Sequence, residues 1–289
     1  RVLEYFRRGA DFVYNNRHYV VEESGKPTCS KGEPKTDIYI AATASNRTDE
    51  FKISFKKENA NFLENKTNAD RAEQLFGDDW QYIIEQSTSR IQQEFLNRML
   101  IYKSAFHRTD AGAITLGWKF ELLNVPSGDL SGDMHLSRDQ VIDIYAGTNL
   151  TGDKCDASVN GRTIYNSGVA NFILFEEQPI QSTQGAINSM ITIEEYVDSH
   201  PRVYFACKAL NYRTFRNKYD GNRPLAVYVD WHVTNGKLAY DIRFDTPLQQ
   251  GGDYAYALLE RAMRRLGIRT TDDLDSSNVE DPSIIYERE

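Results

Sequence analysis

Hydrophobic and polar positions alternate with a period of two in several stretches of the chain and repeat at helical spacing in others. Residues 38–44 and 51–55 are rich in β-branched and aromatic types, and the polar run Ser45-Asn46-Arg47-Thr48-Asp49-Glu50 separates them, which predicts a β-hairpin. From Ala113 to Leu123, Ile114, Leu116, Trp118, Phe120 and Leu122 alternate with Thr115, Gly117, Lys119 and Glu121, the pattern of a strand. Leu225–Val233 and Lys237–Phe244 flank Asn235-Gly236, and Ala157–Ile164 is centred on Asn160-Gly161; both are hairpin signatures. Val203–Cys207 reads as a strand, and Val169–Phe175 as a buried strand or helix segment.

Helical spacing recurs over residues 1–14, where Val2, Leu3, Phe6, Ala10 and Val13 form a stripe that Asn15-Asn16 ends. Arg17–Glu23 then reads as a first strand. Short helices are expected at 69–76 and 193–197. A long one is expected at 80–106, with Trp80, Ile83, Ile84, Ile91, Phe95, Met99 and Tyr102 on its apolar face. Ser137 with Gln140 forms a capping box ahead of a helix to Tyr145. Tyr254–Leu266 is amphipathic and Gly267 ends it. Ile180–Ser189 is expected to be a surface loop.

The first hairpin carries candidate chemistry. A turn centred near Asn46 and Arg47 brings Asp37 level with Lys56 and Lys57, and strand alternation puts Ser54 and Lys56 on one face with Asp37. A carboxylate there suits a hard cation such as Mg²⁺ or Mn²⁺. A metal so held stabilises charge on a phosphate and acidifies bound water. Lys56 would hold that water or neutralise the phosphate. A second frame, Glu50-Phe51-Lys52, sits in or beside the turn, and further acids stand upstream at Glu22, Glu23 and Glu33.

The motif Pro34-Lys35-Thr36-Asp37 followed by Ser54-Phe55-Lys56 resembles the PD-(D/E)XK nuclease superfamily over residues 15 to 110, about a third of the chain. Asp37 matches the first metal-binding acid of that superfamily and Lys56 its lysine. Thr36 stands where the family often has Pro, and Ser54 where it has Asp or Glu. The resemblance implies a restriction-endonuclease-like α/β fold, a mixed sheet flanked by helices and followed by a β-rich C-terminal portion. It also implies Mg²⁺-dependent hydrolysis of phosphodiester bonds in DNA, with catalytic residues Asp37, Ser54 and Lys56 and metal ligands Asp37, Glu23 and Glu33. The expected organisation is a nuclease-like core over 1–125, a β-rich portion over 126–271 that is part of the same domain or a nucleic-acid-binding domain, and an acidic tail over 272–289.

Composition changes this picture only in part. The formal net charge of −8 argues against a protein that coats DNA wholesale. Much of the negative charge lies after Asp272, where Arg288 is the one cation, so local basic patches remain possible elsewhere. Between Lys208 and Arg223 cations interleave with Tyr212, Phe215 and Tyr219, a mix that suits phosphates and bases. Candidate nucleic-acid contacts are Lys57, Asn59, Asn61, Arg213, Arg216, Lys218 and Arg223. Cys29, Cys155 and Cys207 are widely spaced, which fits a reducing cytoplasm of a bacterial or phage-infected cell. No apolar run reaches the length of a membrane span. Nucleic acid, DNA first, is the expected partner, and the family's habit adds a homodimer. The alternatives are a nuclease-like protein that binds nucleic acid without cutting, motivated by Ser54, and a protein-interaction module.

Overall fold

The computed structural model describes residues 2–57, 62–64, 67–176 and 178–288. The chain forms two units, each assembled from separated segments: Arg1–Leu63, Glu73–Asp78 and His135–Val203 in one, and Glu64–Ala72, Asp79–Met134 and Tyr204–Glu289 in the other. The fold is mixed α/β and β-rich, as expected. The segmentation at 125/126 and 271/272 does not coincide with these units, because residues 135–203 return to the sheet begun by the first 63.

In the first unit β1 (Asp11–Tyr14), β2 (Arg17–Gly25), β3 (Ile38–Ala44) and β4 (Arg47–Lys57) form an antiparallel meander. The Phe172–Glu176 strand then joins β4 in parallel, and Met190–Thr192 closes the sheet. One face is the core. Phe51 on β4 contacts the rings of Phe12, Tyr14, Tyr19 and Phe172 at centroid distances of 5.2–5.6 Å. Each such pair adds about 0.5–1.5 kcal/mol beyond area burial. Ile38, Ile40 and Ile53 fill the same layer, with Ala186 and Ile187 from the Thr183–Ser189 helix. The opposite face carries helices Arg138–Ala146 and Ile193–Ser199, joined to the sheet through Phe175, whose ring lies 5.2 Å from that of Tyr196.

In the second unit the sheet runs Lys218–Tyr219, Tyr204–Arg213, Ala113–Leu123, Val227–Thr234, Lys237–Arg243. Helix Gly252–Leu266 packs on it, and Gly267 in the left-handed region caps its end. The acidic C-terminal stretch is no free tail. Leu274, Val279 and Ile284 are buried, and Ile285–Tyr286 pairs in parallel with Ile101–Tyr102.

Two helical expectations and one loop expectation are corrected. Residues 1–14 form a 3-10 turn at Val2–Phe6 and then β1, because Asn15 and Asn16 both adopt positive φ and close a two-residue hairpin. The long helix breaks into Trp80–Ser89 and Gln92–Leu96, and Ile101–Tyr102 is a strand. The Ser87 and Thr88 hydroxyls turn back onto the Ile83 and Ile84 carbonyls just before the break, bonds that bend helices. Finally, 183–189 is a helix, because Ser182 caps the Gly185 N–H at 3.0 Å.

Candidate active site

The β3–β4 turn falls on Ser45 and Asn46, so Ala44 faces Arg47 and Ile38 faces Ile53. This corrects the predicted register by two residues. Asp37, just ahead of β3, meets the Ile53 carbonyl rather than lying level with Lys56 and Lys57. Ser54 and Lys56 share one face of β4, opposite that of Phe51, Ile53 and Phe55, and Asp37 sits at the start of β3 with its carboxylate on the Phe55 N–H.

Two hydrogen bonds fix Asp37. Its N–H donates to the Ile53 carbonyl at 2.9 Å, and its Oδ2 accepts from the Phe55 N–H at 2.8 Å. Upstream, the N–H groups of Lys35 and Thr36 both donate to the Gly168 carbonyl, at 2.9 and 3.1 Å. The loop carrying Asp37 is thus pinned to β4 on one side and to residue 168 on the other. Burial pushes the Asp37 carboxyl up from its ordinary value, the Phe55 N–H and the Lys56 and Lys26 charges pull it down, and Glu33 pushes it up again. Lys56, Lys26 and Glu33 therefore lie within electrostatic reach of Asp37. Lys26 Nζ and Glu33 are 3.9 Å apart.

The two lysines of β4 on this face differ. Lys52 is buried and donates from Nζ to the Asn166 carbonyl at 3.0 Å, with Glu50 at 3.9 Å; burial lowers its pKa. Glu50 in turn accepts the Tyr39 hydroxyl at 2.6 Å. The Glu50-Phe51-Lys52 frame is thus tied into the fold. Lys56 is half-buried and has no hydrogen bond or ion pair among the described residues. Its position suits contact with an incoming anion.

The upstream acids separate. A bulge between Val21 and Glu23 places Glu23 opposite Ala41, four residues along β3 from Asp37. That is about 13 Å at the rise of a strand. Glu23 is held there by Arg162 and by Asn160, whose Nδ2 is 3.3 Å away. The structure does not bring Glu23 to Asp37. Glu33, exposed on the preceding loop, is the acid that acts on Asp37. No group of three or more His, Cys, Asp or Glu among the described residues is placed to hold a metal.

Of the expected nucleic-acid contacts, Lys57 is exposed next to Glu176 in register, while Asn59 and Asn61 lie outside the described residues. Arg213, Arg216, Lys218 and Arg223 belong to the second unit. Arg213 is neutralised by Asp110 at 3.0 Å and by Asp220, so it is not an open phosphate ligand. Arg216 is well exposed and 3.7 Å from Asp110. Lys218 and Arg223 are exposed. Tyr212 and Tyr219 turn to Tyr256, at 4.9 and 4.8 Å between ring centroids.

Sequence reasoning missed the groups that clasp the hairpin from residues 166–171. Asn171 accepts the Lys52 N–H at 2.7 Å on Oδ1 and donates from Nδ2 to the Glu50 carbonyl at 2.9 Å. The one available signal was its place just before the apolar run 172–175. A separate cleft of about 380 Å³ lies by the start of β4, lined by Tyr14, Arg17, Arg47, Asp49 and Phe172 among others. Asp37, Ser54 and Lys56 take no part in it.

Among the described residues no helix is long and apolar enough to cross a membrane. No protein-family model, curated protein or solved structure matches this chain.

Proposed function

We propose that Asp37, Ser54 and Lys56 form the site of a metal-dependent phosphodiesterase acting on nucleic acid, DNA first, on a restriction-endonuclease-like sheet. The observation that supports this reading best is the juxtaposition of a backbone-fixed carboxylate and a lysine whose charge acts on it. Oδ2 of Asp37 is held by the Phe55 N–H, and the Lys56 charge acts on Asp37 while its Nζ has no hydrogen bond or ion pair among the described residues. The donor set suits a hard cation that keeps most of its waters, since Mg²⁺ is commonly bound through one or two carboxylates plus substrate phosphate. Asp37 would hold it, with the Ser54 hydroxyl beside it and Glu33 within electrostatic reach. When bound, such a cation supplies Lewis-acid stabilisation of phosphate charge and a more acidic water. Lys56 would neutralise the non-bridging phosphate oxygens or orient the attacking water. Ile173 and Phe175, beside Ser54 and Lys56 in the parallel register, form an apolar wall that limits solvent there.

A second reading, a nuclease-like protein that binds without cutting, is favoured by Ser54 alone. A panel of supercoiled plasmid, single-stranded DNA and RNA, each with Mg²⁺, Mn²⁺ or EDTA, separates the two. Metal-dependent cutting supports the enzyme and names its substrate class. Retention of all three substrates uncut, with salt-sensitive binding, favours the second reading.

A further inference from the structure

The second unit exposes aromatic rings on one stretch of surface built from three distant segments. Phe106 contacts Tyr286 at 4.7 Å and His107 at 4.3 Å between ring centroids, and Tyr102 stacks beside it at 6.4 Å. The Gly112 N–H donates to the Tyr102 carbonyl, and the Gly112 carbonyl accepts the Thr214 N–H. Those bonds bring the Thr214–Arg216 turn alongside. The Phe215 ring lies on Gly112 so closely that a Cβ there would collide with it. Yet Phe215 is 50% and Phe106 38% exposed, a large apolar exposure for two phenylalanines on one loop cluster.

Exposed cations stand around these rings in a chain whose net charge is −8. Arg108, Arg216, Lys218 and Arg288 are exposed, and the Arg288 N–H donates to the Ser104 hydroxyl at 3.0 Å, which places it at the same edge. Among the nearby acids Asp110 meets Arg213 at 3.0 Å and Arg216 at 3.7 Å, Glu287 meets Lys103 at 3.0 Å, and Asp272 and Asp273 follow Thr271, whose N–H donates to the Thr214 hydroxyl. Exposed rings beside Arg108, Lys218 and Arg288, which have no ion pair among the described residues, match the chemistry of unpaired bases on a phosphate backbone, where stacking is indifferent to sequence. Duplex DNA offers no open base faces to such rings.

We infer that this surface is a stacking platform for single-stranded nucleic acid, with Phe106 and Phe215 meeting bases and Arg108, Arg216 and Lys218 meeting phosphates. The inference deepens the phosphodiesterase reading, on which it rests for its substrate, by adding a single-stranded stretch to what the protein takes.

The test is fluorescence anisotropy of the full chain in EDTA, with labelled 15-nucleotide oligo-dT, oligo-rU and a 15-base-pair duplex. EDTA removes any dependence on cleavage. Tighter binding of a single strand than of the duplex is expected. Phe106→Ala and Phe215→Ala should each weaken it about 5- to 20-fold. Phe215→Leu keeps an apolar side chain on Gly112 and removes the π face, so it should lose affinity while keeping the wild-type melting temperature. The oligo-dT and oligo-rU arms tell DNA from RNA. Absence of single-strand binding, equal binding of the duplex, or wild-type affinity in both alanine variants would overturn the platform. Loss of metal-dependent cutting in Asp37→Ala with binding intact would leave the platform standing, so its failure and that of the catalytic reading are distinguishable.

Discussion

The Phe55 N–H donates to Oδ2 of Asp37 at 2.8 Å, so one carboxylate oxygen is committed to holding the loop against β4. Oδ1 accepts no hydrogen bond among the described residues. The carboxyl is buried enough that its pKa rises. The folded protein therefore binds this proton more tightly than the unfolded chain does. As pH rises from the ordinary value of 3.8 through the raised folded value, stability is lost, and at neutral pH the ionised group is a standing cost. Asp37→Asn keeps an acceptor for Phe55 and removes the charge. Its melting temperature at pH 7 should rise above that of wild type, and the gain should shrink toward pH 4. A lower melting temperature than wild type at pH 7 would contradict the cost assigned to Asp37.

Lys52 and Lys56 should separate cleanly on substitution. Lys52→Ala leaves the Asn166 carbonyl without its 3.0 Å donor and should destabilise the protein by about 1–3 kcal/mol. Lys56→Ala removes a side chain with no hydrogen bond or ion pair among the described residues and should change stability by less than about 0.5 kcal/mol. Its cleavage rate should fall by roughly 10²–10³-fold. Denaturation midpoints and single-turnover rates measured on both variants check the pair, and the reverse pattern would move the catalytic lysine to the Glu50-Phe51-Lys52 frame.

Ser54 follows Ile53 on β4, whose carbonyl accepts the Asp37 N–H. Ser54→Asp would put two carboxylates at one place, which raises the pKa of one of them and lowers stability without metal. The same pair should bind Mn²⁺ about tenfold more tightly by calorimetric titration, because a second oxygen donor of full charge joins the first. Unchanged affinity would show that the cation does not sit between these two positions.

Gly168 links the site to a segment over 130 residues away. Its carbonyl receives both the Lys35 and Thr36 N–H groups, and a Cβ on it would run into the Lys154 carbonyl. Gly168→Ala should cost about 1–3 kcal/mol through that backbone clash. Activity should fall further than in an equally destabilised variant remote from Asp37, because the loop that presents Asp37 must shift. Activity that tracks stability alone would separate Gly168 from the site.

Much of this was legible because local chemistry and tertiary packing agree. Asn160-Gly161 and Asn235-Gly236 both occupy positive φ in hairpin turns, and the Ser137–Gln140 box and Gly267 bound their helices as read. The failures occur where a local signal has two meanings. Asn15-Asn16 stops a helix or turns a hairpin, and only the pairing of Phe12 with Tyr19 decides for the hairpin. Within the site, Ser54 and Lys56 share a face wherever the turn falls, being two residues apart on β4, whereas the hold of Asp37 on the Phe55 N–H lies beyond the strand pattern. Glu23 could not be assigned, because the bulge at Glu22 and the grip of Arg162, 139 residues away, are invisible in a local window. Asn171 and Gly168 were hidden for the same reason: they reach β4 and Asp37 only through the parallel pairing of Phe172–Glu176.

The central claim is tested most directly by single-turnover cleavage of a labelled DNA substrate in Mg²⁺ and in EDTA, with wild type, Asp37→Ala and Lys56→Ala compared at matched folded fractions. The account predicts cutting by wild type in Mg²⁺, none in EDTA, and loss of at least about 10²-fold in both variants. Cutting that persists in EDTA or in Asp37→Ala would contradict it, as would a folded wild-type protein that leaves DNA and RNA intact with either Mg²⁺ or Mn²⁺.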